Sequence, residues 1–317
     1  VTEQNLPACG IDIGGTKIAG ALVAADGTIL AEDRVESPAA EPSAIETAVA
    51  GLVGRLADGQ SVAGVGVGAA GYVDAARTTV RFAPNIAWRD EPLAADLGRL
   101  TGLPVVVEND ANAAAWGEFR YGAGRDVDDQ LMVTVGTGVG GGVIVGGRLL
   151  RGAFGSAAEI GHVGVVPDGE QCGCGNRGCL EQYGSGTALV RSARGAARGD
   201  VIRARALLDR AGGDPDAITG QMITAAAHEG DRFAVEQFER LGYWLGYGIA
   251  SIGAVLDPAV VVIGGGVSEA GRLLLDPLRD SYQKALSGRG YRPEAEIRPA
   301  ELGNRAGVIG AADLSRA

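Results

Sequence analysis

Apolar residues come in short blocks along this chain, and glycine-rich breaks separate them. "ACGIDI" (8–13), "KIAGALV" (17–23) and "TILAEDRVE" (28–36) read as strands, the first two joined by "GGT". In "SAIETAVAGLVGRLA" (43–57), Ile45, Val49, Leu52, Val53 and Leu56 recur at helical spacing. "VAGVGVGAAG" (62–71) is a buried strand running into a glycine loop, and "EPLAADLGRL" (91–100) is a short helix with Pro92 in its first turn. "PVVVE" (104–108) is a strand that stops at Asn109-Asp110, after which "ANAAAWGEFRYG" (111–122) reads as helix.

The pattern then restarts. "QLMVTVGTGVGGGVIVGGRLL" (130–150) repeats the strand, glycine turn, strand order of "GIDIGGTKIAGALV" (10–23), which predicts a duplicated hairpin unit, one per domain. Helices fill 185–257, and the longest (231–256) is apolar all round in its C-terminal half, as for burial between domains or subunits. "AVVVIGGG" (259–266) is a strand and glycine loop before a helix over 269–286. A strand "EIRPA" (296–300) and a helix over 306–317 close the chain. Its 317 residues have room for two domains. We expect a small α/β domain over 1–110, joined by the C-terminal helix at about 303–317, and a large α/β domain over 111–302.

Composition narrows the function. The net charge is −11 with no Lys/Arg run, which disfavours nucleic acid and anionic membrane as partners. "VTEQNLPACG" has no basic segment or apolar core of a signal peptide, and no apolar stretch could span a bilayer, so a cytoplasmic enzyme is expected. The 53 glycines follow no period and cluster after strands. Three such loops stand out: "DIGGTK" (12–17), "VGTGVGGG" (135–142) and "VIGGGV" (262–267). Each serves as a tight hairpin turn or as a cradle of backbone N–H groups for phosphate, with Thr16, Lys17 and Thr137 as extra donors. Neither the P-loop pattern nor the dinucleotide fingerprint fits "GIDIGGTK", because a strand follows it where both need a helix.

Two constellations carry chemistry. Glu108, Asn109 and Asp110 lie where a buried strand meets a helix, a place for ligand contacts. Asp or Asn before an alanine-rich helix is also favoured for capping alone. In "HVGVVPDGEQCGCGNRGC" (162–179), His162, Cys172, Cys174 and Cys179 form H-x9-C-x-C-x4-C. Three thiolates and one imidazole make a closed tetrahedral set suited to structural zinc, with no open position for an activated water. Three cysteines cannot pair internally, and a cytoplasmic chain is the wrong place for disulfides. Cys9 reads as a buried apolar residue and His228 as a surface histidine.

"DIGGTKIAGAL" (12–22), "ENDANAAAWGE" (108–118), "VTVGTGVGGGVI" (133–144) and "EIGHVGVVPDGEQCGCGNRGCLEQY" (159–183) together resemble the bacterial ROK family of sugar kinases and repressors, closest to its glucokinases. The resemblance runs from about residue 8 to the C-terminus. It implies the two-domain actin-like ATPase fold of hexokinases, with nucleotide and sugar in a cleft between α/β domains. It implies an ATP-dependent kinase acting on the 6-hydroxyl of glucose, with Asp110 as the base. Gly71, Asn85, Asn109, Asp110, Glu159, His162 and Glu181 would line the sugar pocket. Asp12, Gly14, Gly15, Thr16 and Lys17 would hold the distal phosphates, Thr137 and Gly138 the middle of the chain, and Gly264, Gly265 and Gly266 the adenosine. Mg²⁺ would arrive with ATP near Asp12, and zinc on His162, Cys172, Cys174 and Cys179 would orient the histidine ring. A homodimer or homotetramer is expected. The alternatives are a kinase for fructose, mannose or an N-acetylhexosamine, and a sugar-responsive repressor. The repressor is disfavoured because the first glycine loop begins by residue 14, which leaves no room for a DNA-binding helix-turn-helix.

Overall fold

The computed structural model describes residues 6–316. In chain order the elements begin with β1 (Ala8–Ile13), β2 (Lys17–Val23), β3 (Ile29–Glu36), α1 (Pro42–Ala57), β4 (Val65–Ala69), β5 (Tyr72–Val73), β6 (Val80–Phe82) and β7 (Arg89–Glu91). There follow α2 (Leu93–Thr101), β8 (Val105–Asn109), α3 (Asp110–Tyr121), β9 (Gln130–Val135), β10 (Val139–Val145) and β11 (Arg148–Leu149). The remainder is α4 (Glu181–Gly184), α5 (Gly186–Gly199), α6 (Arg205–Arg210), α7 (Gly220–His228), α8 (Arg232–Leu256), β12 (Val260–Gly264), α9 (Arg272–Ala285), β13 (Glu296–Pro299) and α10 (Ala306–Leu314). Among the described residues no helix is long and apolar enough to cross a membrane.

The expected duplication is visible in the topology. One five-stranded sheet has the order β3-β2-β1-β4-β8 and the other β11-β10-β9-β12-β13. Each is a run of three sequential strands followed by two more added on the far side of the first. In the first sheet β1 pairs antiparallel with β2 and parallel with β4, which pairs parallel with β8. The sequence pattern did not reveal a further small sheet, β5-β6-β7. Its strands have two or three residues, too few for a period to register.

Contacts gather the chain into two compact units, one of Val1–Met132, Gly141–Ala158 and Ala300–Ala317, the other of Val133–Gly140 and Glu159–Pro299. The C-terminal helix belongs to the first unit. So does α3, which the sequence reading put in the second domain. A Cβ on Gly310 of α10 would lie 1.8 Å from Ala113 O of α3, so the two helices touch backbone to backbone.

The alternation in "VGVGA" now has a cause. Val65, Val67 and Ala69 face one side of the sheet with Ile11 and Ile13, where Ile45, Val49, Leu52, Val53 and Leu56 of α1 complete a core. Gly10 and Gly66 face the other side, under α10. A Cβ on Gly10 would lie 1.8 Å from Val308 O, and one on Gly66 would lie 1.7 Å from Ala311 O. Gly66→Ala must push α10 off the sheet, and we expect a loss of about 1–3 kcal/mol in urea unfolding. An unchanged midpoint and slope would show that α10 yields without strain.

Candidate active site

In the first unit Asp12 lies near the end of β1 and Asp110 just past the end of β8, with β4 between the two strands. Asn109 is the N-cap of α3: its Oδ1 accepts from Asn112 N at 3.0 Å, and its Nδ2 donates to Gly71 O at 3.1 Å. Asp110 is therefore not the cap. It is the first residue of the helix, and its Oδ1 accepts only a local bond from Ala111 N at 2.9 Å. The sequence left capping and ligand contact as rival readings of this pair; the structure gives the cap to Asn109 and leaves Asp110 available. Burial raises the Asp110 carboxyl above the usual carboxylate range, against the opposing bonds from backbone N–H groups. Asp12 is pushed up from 3.8 to about 6, first by burial and then by the charge of Asp110. Two buried carboxyls, one of them raised by the charge of the other, mark a place prepared for a cation or a proton transfer.

The loop after Asp12 is both a turn and an open cradle. Gly14 N donates to Lys17 O at 3.0 Å, closing the hairpin, while Thr16 and Lys17 remain exposed. A Cβ on Gly15 would come within 3.2 Å of Asn85 Cβ, so exposed Asn85 borders this loop. Gly71 lies against the 82–83 backbone, where a Cβ would meet Phe82 O at 2.4 Å.

In the second unit the four zinc-type side chains converge. Their ligand atoms all lie within 4.8 Å of one another. Cys174 Sγ is 3.7 Å from Cys179 Sγ, and Cys172 Sγ is 3.7 Å from His162 Nδ1. An ion holding sulfurs tetrahedrally at about 2.3 Å separates them by about 3.8 Å, so the donor set fits zinc. All four cysteines are free thiols, and Cys9 is buried as expected. Burial pushes the Cys9 thiol up to about 11.

Glu181 joins this cluster to the second glycine loop. Its Oε2 accepts from Val139 N at 3.1 Å, and its Oε1 lies 4.0 Å from Cys172 Sγ. A Cβ on Gly138 would sit 2.2 Å from that Oε2, so any larger residue there would have to displace the carboxylate. Glu159 precedes and His162 ends a short 3-10 turn over Ile160–His162, which packs on β10 where a Cβ on Gly161 would meet Val139 O at 2.1 Å.

Thr137 and Gly266 line one cavity of about 780 Å³, together with Gly136, Thr187, Val190, Arg194 and Val267. Gly265, at φ 84, presses the third loop against Val135, where a Cβ would lie 2.5 Å from Val135 O. The cavity is within the usual size of small-molecule sites. The sequence reading missed Thr187, Val190 and Arg194. Thr187 Oγ1 donates to Thr137 O at 2.7 Å, and Ser185 caps α5 by accepting from Ala188 N. The run "GSGT" opening an arginine-bearing helix was the available signal.

Residues 8–317 match the model of the ROK family. The chain is 50% identical over 307 residues to a glucokinase of Streptomyces coelicolor, covering 97% of this chain and 96% of that one. It is 36% identical over 309 residues to an N-acetylmannosamine kinase of Escherichia coli O157:H7, covering 96% and 97%. Its fold superposes with a TM-score of 0.88 on a ROK glucokinase from Streptomyces griseus solved with glucose and AMPPNP, at 50% identity, covering 98% of this chain and 99% of that one. The repeated sheet is thus that of the hexokinase-type, actin-like ATPase fold. With its glycine loops, its capped Asn109-Asp110 turn and its His-Cys cluster carried along the whole length of that match, the chain belongs to the ROK family.

Proposed function

We infer that the chain is an ATP-dependent glucokinase that transfers the γ-phosphoryl of ATP to the 6-hydroxyl of glucose. The observation that carries this reading is a half-identical match along nearly the whole chain to glucokinases, one of them solved with glucose and AMPPNP. The freedom of the Asp110 carboxylate supports it.

Asp110 orients the 6-hydroxyl and takes its proton late in a loose transition state, where positioning and charge matter most. Asn109, Glu159, His162 and Glu181 bond the other hydroxyls, with Gly71 and Asn85 beside them. Asn109 keeps one amide N–H and one lone pair for this. Gly14, Gly15, Thr16 and Lys17 take the distal phosphates, Thr137 and Gly138 the middle of the chain, and Gly264, Gly265 and Gly266 the adenosine. Mg²⁺ carried by ATP supplies charge neutralisation beside Asp12. Zinc, held by His162, Cys172, Cys174 and Cys179, supplies a fixed ring direction and tautomer. Nδ1 of His162 faces the thiols, so Nε2 is the nitrogen left for a sugar hydroxyl. Dependence on ATP favours a cytoplasmic location, and exposed Tyr243, Tyr247 and Val255 on α8 favour a homo-oligomer.

ADP release measured across a panel of hexoses tests the assignment. An epimer that misplaces one hydroxyl strands a buried partner at about 1–3 kcal/mol, so kcat/KM for glucose should exceed that for mannose, fructose and N-acetylglucosamine by at least about tenfold. A higher value for any of these moves the chain to another sugar within the family.

A pH dependence follows from Asp12. Its folded pKa of about 6 lies above the ordinary 3.8, so its protonation stabilises the ligand-free fold fully below about pH 4, and that contribution is lost as the pH rises through 6. Binding of the Mg²⁺ nucleotide demands the ionised form. Calorimetry at pH 6 in buffers of different ionisation enthalpy should therefore record proton release, and Asp12→Asn should abolish it. Equal heats in all buffers would remove Asp12 from the nucleotide site.

A further inference from the structure

One residue ahead of the Asn109-Asp110 pair, a buried carboxylate gathers partners from distant parts of the first unit. Glu108 is 3% exposed. Its Oε2 accepts from Arg151 Nε at 2.7 Å, with Arg77 Nε 3.6 Å away. Its Oε1 accepts from Asn109 N and from Asn112 Nδ2, each at 3.1 Å. Arg77 is itself held in an unusual conformation. It has φ 63, in the left-handed region that a non-glycine residue seldom occupies. In that conformation its carbonyl accepts from Val107 N at 2.9 Å and its guanidinium donates to Leu314 O at 3.0 Å.

These bonds grip the chain on both sides of Asp110. Glu108 holds the Asn109 amide before it and the Asn112 side chain after it, and Asn112 N is the group that Asn109 caps. Arg151 in turn fixes the Glu108 carboxylate by a short charge-assisted bond, while Arg77 ties the same carboxylate to the C-terminal helix. Their shared effect is to set where the Asp110 carboxylate starts. On the kinase reading above, we propose that Arg151, acting through Glu108, is a positioning residue for Asp110. Misplacing a reacting group by a fraction of an ångström is costly even when nothing that touches substrate is removed.

Arg151→Met is the direct test, since its side chain is about a quarter exposed and its loss can be accommodated. The kcat should fall about 10- to 100-fold, while KM for glucose and for ATP each move by less than about threefold. Arg151→Lys should recover part of that loss. In an Asp110→Asn background, Arg151→Met should change the residual kcat by less than about twofold, because the group being positioned is gone. A purely structural role would lower kcat by the same factor in both backgrounds. That equality, or a variant retaining more than half of the wild-type kcat, overturns the proposal. If Arg151→Met does not fold, Arg151→Lys carries the same two-background comparison. Failure of the kinase reading itself is seen separately, as wild-type protein without hexose-dependent ADP release.

Discussion

Asp110→Asn should lower kcat for glucose phosphorylation by about 10²–10⁴-fold while leaving the KM for glucose near its original value. The amide keeps the oxygen that accepts from Ala111 N, and α3 remains capped by Asn109, so the fold has no reason to change. A neutral amide cannot take the proton of the attacking hydroxyl. The substitution also removes the charge that helps to raise Asp12, whose carboxyl should move back toward its ordinary range. Steady-state kinetics with contaminating kinase excluded is the measurement. Retention of more than a tenth of the wild-type kcat would remove Asp110 from the role of base.

Loss of the zinc-type cluster should have the next largest effect. Metal analysis is expected to find about one zinc per chain, and Cys179→Ser should lose it, because three donors remain where a closed site needs four. Glucose affinity should then fall by about 10- to 100-fold, as the His162 ring loses its fixed direction. Nucleotide affinity should fall too, by a smaller factor. The carboxylate that accepts from Val139 N in the second glycine loop is 4.0 Å from Cys172 Sγ, so disorder in the cluster reaches that loop through Glu181. Calorimetric titration of the metal-free protein with glucose and with ADP separates the two effects. Equal glucose affinity with and without metal would leave zinc no part in shaping the sugar pocket.

Local pattern alone made several features legible. The two strand–glycine–strand blocks predicted a duplication, and both sheets show it, because a hairpin is specified by residues adjacent in sequence. The His-Cys spacing predicted a four-donor cluster, since three of its members fall within a single loop. The core face of α1 was readable from its helical period, and all five predicted residues are buried.

Other features depend on partners that no local pattern brings together. Whether Asn109 or Asp110 caps α3 depended on the path of the chain into the helix and on Gly71 O, 38 residues away. "VGVGA" was readable as a buried strand, but the reason Gly66 must be small was not, because a helix from the far end of the chain lies on it. Arg77 and Arg151 carry no mark of their own in the sequence. They acquire a role only because the fold sets both beside one buried carboxylate, which accepts a hydrogen bond from Arg151, 43 residues further along the chain. Periodicity reports which face of an element is buried, because burial recurs along that element. It is silent on which distant charge meets which, because a single side-chain contact between remote segments recurs nowhere and is decided only when the sheets and helices have packed.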